Sequence, residues 1–259
     1  MARVRTQLTS LKPHPALLRA SERIGLIGTA AWCAIGLATR EPRPITARLP
    51  LTLDLLQTLE DAGILARCSS DTPNAQRALY DPISWLNRDH GTPAGALQRA
   101  LEQALQLRVK DDRSSSEALW SLLVDADSEA YLLHLLQRHQ MANLDPNPLI
   151  ASIRREWAPY SLGRRRYLAW AGLRHAAACL LRENFDATAA YSMLETQIQR
   201  RGRWLFAKQA ANEIAEDDYC FVPDSNWRHP LLLEIFLERV MPMGRLFWSK
   251  PPPPKPRHG

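Results

Sequence analysis

From about Ala94 to Trp248, apolar residues recur at three- and four-residue intervals, separated by short polar segments that can stop one helix and start the next. This pattern limits the fold more than any other feature and predicts an all-helical region. Leu97, Leu101, Ala104 and Leu105 form the apolar side of a helix over Ala94–Leu107, opened by Thr92 or Pro93. Lys110–Ser115 reads as a polar loop, and Ser114, Ser115 or Ser116 can cap a helix over Glu117–Val124. Asp127 and Ser128 are expected to cap the next, with Tyr131, Leu132, Leu135 and Leu136 on one side. A turn at Asp145-Pro146-Asn147-Pro148 precedes a short helix over Leu149–Trp157. Ser161 caps a helix to about Leu181, and Asp186 opens the longest, to about Ala215, with Gly202 as its weak point. A last helix spans Pro230–Val240 and is closed by Pro242.

Upstream, a helix is expected from about Pro15 to Thr39. Its second part, Ile24 to Thr39, is sixteen residues without a charge, three of them glycine and four alanine. That is shorter than a bilayer span requires, so a tightly packed buried helix is expected, and no membrane partner. The first fifteen residues are basic and lack an apolar core before Pro13 and Pro15, so they do not read as a leader. Cys33, Cys68, Cys179 and Cys220 are far apart and form no C-x-x-C, which suits reduced thiols and a cytoplasmic location. Apolar and charged contents of 46% and 23% are those of a globular protein. The segment 249–259, with four consecutive prolines, reads as an extended, disordered tail.

Residues 44–86 stand apart. Leu53, Leu55, Leu56 and Leu59 suggest a helix over Thr52–Ala62, and Gly63 follows where a stop is expected. Ile64–Cys68 and Arg77–Ile83 look strand-like, with Ser69–Asn74 supplying turn chemistry. This order resembles the recognition helix and wing of winged helix-turn-helix DNA-binding proteins. The resemblance implies duplex DNA contact through Arg43, Thr46 and Arg48 before the helix, Thr52 and Gln57 at its start, and Arg67, Gln76 and Arg77 in the wing. Asp54, Glu60, Asp61 and Asp71 make the unit itself acidic, so a packing or dimerisation module is the other reading.

The net charge of +6 is segregated: residues 1–50 carry +6, 51–145 carry −6, 146–210 carry +7 and 211–259 carry −1. Basic blocks that meet on one face would attract polyanions. Arg164, Arg165, Arg166, Arg200, Arg201 and Arg203 form two clusters in the most basic block, interleaved with Tyr160, Tyr167, Trp170 and Trp204. Aromatics beside arginines suit single strands, whose bases stack while phosphates pair with guanidinium groups. Trp170, Leu173, Ala177 and Leu180 at helical spacing equally suit a core.

Motifs for nucleotide, zinc or serine chemistry are absent: there is no G-x-S-x-G, G-x-x-x-x-G-K-[ST], H-E-x-x-H or G-x-G-x-x-G. Glu213, Glu216, Asp217 and Asp218 could hold a hard cation or pair with basic residues. The histidines are scattered, and no cofactor is expected. The expected fold class is therefore mainly α, with a winged-helix-like domain over 1–87, a helical domain over 94–248 and the tail. The expected function is non-enzymatic nucleic-acid binding by a bacterial-type regulator or mobile-element accessory protein. A protein–protein adaptor is the alternative, and a homodimer or other protein partner stays open.

Overall fold

The uncharged segment beginning at Ile24 lies inside the molecule, and its small residues explain why. The computed structural model describes residues 15–38, 40–65, 94–141, 145–182, 186–223 and 228–254, and begins with α1 (Pro15–Ala38). Gly25, at φ +67°, bends α1 through a backbone region that L side chains rarely adopt. Thr29 secures the bend by donating to the Gly25 carbonyl at 2.7 Å. Beyond it, Ala30 to Ala34 are fully buried. The small side chains among them, Ala30, Ala31, Cys33 and Ala34, leave room for α3 (Ala94–Asp111), whose Gln98 amide donates to the Cys33 carbonyl at 3.5 Å. A Cβ on Gly36 would sit 2.5 Å from Gln98 Oε1, so a larger residue there would push the Gln98 amide aside. Among the described residues, no helix is long and apolar enough to cross a membrane.

The remaining elements are α2 (Leu49–Asp61), α4 (Arg113–Arg138), α5 (Asn147–Trp157), α6 (Leu162–Arg182), α7 (Ala187–Ala210), α8 (Leu231–Ile235) and α9 (Leu246–Ser249). A π-helical turn over Phe236–Val240 continues α8. Asp112 and Asp186 cap α4 and α7, their carboxylates accepting from Ser115 N and from Thr188 and Ala189 N. The first N–H groups of α8 are satisfied by another segment. Leu231 N donates to the Pro44 carbonyl at 3.0 Å and Leu232 N to Ile45 at 2.9 Å.

The expected winged unit is not seen, because the described residues are helical throughout their regular structure and contain no strand. Helix α2 is present, but Ile64 and Leu65 do not begin a hairpin. They complete the helix stop: Gly63 takes φ +67°, Ile64 N donates to Leu59 O at 2.9 Å, and Gly63 N donates to Glu60 O at 2.8 Å. This is a Schellman closure, and Ile64 is its buried anchor against Leu59. The rest of the expected hairpin, from residue 66 on, lies outside the described residues.

Two further expectations are corrected. Asp127 and Ser128 do not start a new helix, since α4 runs unbroken past them and the Ser128 hydroxyl donates back to Val124 O at 2.7 Å. Nor is the start of the proline segment free. Ser249 ends α9, Phe247 and Trp248 are buried, and so is Pro252.

Helix α4 joins two apolar cores. Leu119, Trp120, Leu123 and Val124 enter the first, which gathers α1, α2, α3, α8 and α9. Leu132, Leu135 and Leu136 enter the second, with α5, α6 and α7. The first and last described helices thus share one core, with Leu26 and Trp32 in the same cluster as Phe236 and Phe247.

Candidate nucleic-acid interface

Every residue from Leu162 to Ala169 is buried, so the arginines in this stretch of α6 need partners inside the protein, and for Arg165 and Arg166 these are carboxylates. The carboxylates come from the middle of α4. Arg165 Nη1 donates to Asp125 Oδ1 at 2.7 Å, and Arg166 donates twice to Asp127 Oδ1, at 3.0 and 2.5 Å. The Arg166 guanidinium also lies 5.1 Å from the Tyr131 ring centroid and 4.9 Å from that of Trp248. Burial pushes Arg165 below its ordinary value, opposed by Asp125. Glu129, the next acidic residue, accepts from Arg154 and lies 3.4 Å from Arg48 Nε. The ionic seam spans the junction of the two cores. Of the Arg164–Arg166 cluster, none faces solvent.

The residues expected to flank a recognition helix also turn inward. Arg43 pairs with Glu234 and Glu41 and donates to the His229 carbonyl at 3.2 Å. Thr46 is buried, with its hydroxyl bonded to Arg48 O and 2.8 Å from the Thr52 hydroxyl. Gln57 is exposed and donates to Asp61 at 2.7 Å. Arg67, Gln76 and Arg77 lie outside the described residues.

The second arginine cluster behaves differently. Arg200 and Arg203 are exposed on α7 and make no ion pair among the described residues, while Arg201 is half-buried against aromatic rings. Its guanidinium lies 5.1 Å from the Trp204 ring and 6.0 Å from Tyr167. Tyr167 and Trp170 come from α6, Trp204 from α7, and Tyr219 and Phe221 from the segment after α7. The rings touch in sequence. Trp204 meets Tyr219 edge-on at 5.3 Å, Tyr219 meets Tyr167 at 5.0 Å, and Phe221 meets Tyr167 and Trp170 at 5.6 and 5.5 Å. Arg174 covers the outer ring, 5.0 Å from the Trp170 centroid. Tyr167 is buried at the base, while Trp170 and Tyr219 remain 36% and 39% exposed. Burial raises the Tyr167 hydroxyl above its ordinary value, so it stays neutral at physiological pH.

Of the aromatics interleaved with the arginine clusters, Tyr167, Trp170 and Trp204 come together at this face, whereas Tyr160 is buried, its hydroxyl donating to the Gly202 carbonyl at 2.7 Å. Tyr219 and Phe221 were missed, because they follow an acidic stretch in no regular element. The acidic cluster itself is a loop. Glu213 pairs with Lys208, and the Asp218 carboxylate accepts from Ala215 N at 2.8 Å. Among the described residues, no group of three or more His, Cys, Asp or Glu is placed to hold a metal ion.

No protein-family model, curated protein or solved structure matches the chain, so what the face can do rests on its chemistry.

Proposed function

We propose that this protein binds nucleic acid, and that the face formed by α6, α7 and residues 219–221 takes single-stranded segments. The observation that supports this reading is the pair of exposed rings, Trp170 and Tyr219, set among Arg174 and Arg201. An unpaired base can stack on an exposed ring whatever its identity, because every base has a π face. The guanidinium groups of Arg174, over Trp170, and of Arg201, over Tyr167 and Trp204, can turn to phosphate oxygens and bind them in bidentate fashion. Arg200 and Arg203 add positive charge on the same helix. A duplex keeps its bases stacked on one another and offers these rings nothing. The start of α2, moreover, has its polar groups engaged within the protein, so the reading no longer involves a recognition helix.

Fluorescence-anisotropy titration of single-stranded and duplex oligonucleotides at two salt concentrations tests it. Tighter binding of the single strand, weakening with salt and with Trp170→Ala, is the expected result. No binding of either form at low salt overturns it. The adaptor reading draws on Leu181 and Phe206, which are 70% and 66% exposed on α6 and α7. A salt-tolerant protein partner with no affinity for oligonucleotide would favour it.

A further inference from the structure

We infer that Arg164, buried in the first turn of α6, is the positioning residue that holds Tyr219 as a stacking platform for unpaired bases. The inference rests on the nucleic-acid reading above and concerns how the same face is built. Arg164 differs from its two neighbours in having no carboxylate within ion-pair distance among the described residues. All its side-chain partners are neutral oxygens. Nη2 donates to the Ala215 carbonyl at 2.7 Å, Nε to the Asp218 carbonyl at 3.2 Å, and Nη1 to Gln209 Oε1. Burying a guanidinium without a counter-charge is costly, and here the return is geometric.

The Asp218 carbonyl belongs to the peptide unit immediately before Tyr219, so the guanidinium fork fixes the backbone at that residue. Tyr219 needs such fixing. Its φ of +60° is unfavourable for a residue with a Cβ and persists only where the surroundings enforce it. On the other side, Phe221 N donates to the Gly163 carbonyl at 3.0 Å. A Cβ on Gly163 would lie 2.9 Å from Cys220 Cβ and 3.0 Å from the Trp248 carbonyl, so the loop approaches α6 as closely as a glycine allows. Consecutive residues of α6 therefore grip the chain before and after Tyr219. One turn further on, Tyr167 receives its ring. Lysine cannot replace the arginine here, because a single ammonium lacks the planar fork that reaches two carbonyls and an amide.

A double-mutant cycle read by binding of a short fluorescein-labelled oligothymidylate tests the inference. The proteins are wild type, Arg164→Gln, Tyr219→Ala and the double variant, each checked for thermal unfolding. Arg164→Gln and Tyr219→Ala are each expected to weaken binding by a similar factor, roughly 5- to 150-fold. The double variant is expected to bind no more weakly than Tyr219→Ala, since both changes remove one platform. Arg164→Lys should not rescue. Gln209→Ala, at an exposed position on α7, removes one partner without opening the core and should cost a few-fold in affinity at unchanged melting temperature. It carries the test if Arg164→Gln fails to fold. Losses that add in the double variant, or a Gln209→Ala protein that binds as wild type, overturn the positioning role while leaving the nucleic-acid reading intact. Wild-type protein that does not bind oligothymidylate overturns both.

Discussion

Asp127 on α4 and Arg166 on α6 form a buried ion pair, with two guanidinium N–H groups on one carboxylate oxygen and each side chain less than a tenth exposed. Removing one partner leaves the other charged and without solvent. Asp127→Ala is therefore expected to destabilise the protein by about 3–5 kcal/mol in urea unfolding. Replacing both residues by apolar ones of similar volume should cost much less. A small effect of Asp127→Ala alone would show that the seam does not hold the two cores together.

Gly163→Ala should cost about 1–3 kcal/mol, because the added methyl meets the Cβ of Cys220 and a backbone carbonyl at contact distances that require movement. Gly63→Ala is a useful contrast: nothing lies near the new Cβ, and its cost comes from the left-handed backbone alone.

On the aromatic face, Trp170→Ala should reduce single-strand affinity by about 1–3 kcal/mol, and it should also lower stability through the lost packing on Phe221 and Tyr167. Arg201→Ala should also flatten the dependence of log K on log salt, by roughly the contribution of one phosphate contact. An Arg201→Ala protein with an unchanged slope would place that guanidinium on the rings only.

Acid stability follows from Glu234 and His229. The hydrogen bond from Arg43 holds the Glu234 carboxyl below its ordinary value of 4.5. Its stabilisation is complete above that value and is lost as pH falls through the lower, folded value. Burial pushes His229 below 6.5, so the unfolded chain takes up this proton first and stability declines as pH drops below 6.5. His229→Gln should remove the decline nearer neutrality, and Arg43→Met should shrink the carboxylate part. Unfolding free energies measured from pH 8 to 3 distinguish the two.

Cysteine labelling should be ordered by burial. Cys33 is fully buried with its thiol pushed far up, and Cys179 is buried, whereas Cys220 is partly exposed. Peptide mapping after brief alkylation of native protein should find Cys220 modified and Cys33 intact. Cys220 should react more slowly than a free thiol, because burial raises it as well.

Much of the helical framework was legible because it is written locally. The α1 span, the stops at Gly63 and Trp157, and the carboxylate cap at Asp186 each depend on residues within a turn or two of one another. Apolar period and capping chemistry carry that information. The errors arose where a local signal had a distant use. Ile64 and Leu65 look like strand residues but anchor a helix stop. Asp127-Ser128 looks like a cap, but the aspartate answers Arg166, thirty-nine positions away.

The same divide runs through the face. By itself, the sequence determined that α6 and α7 would be helices rich in arginine and aromatic residues, since spacing along one chain fixes which side chains share a helix side. Only the tertiary structure decided which arginines are spent inside. The carboxylates of Asp125 and Asp127 on α4 take Arg165 and Arg166, loop carbonyls take Arg164, and Arg201 is left beside the rings. Charge is a property of composition, but its exposure depends on which desolvated partners the fold brings within hydrogen-bond distance.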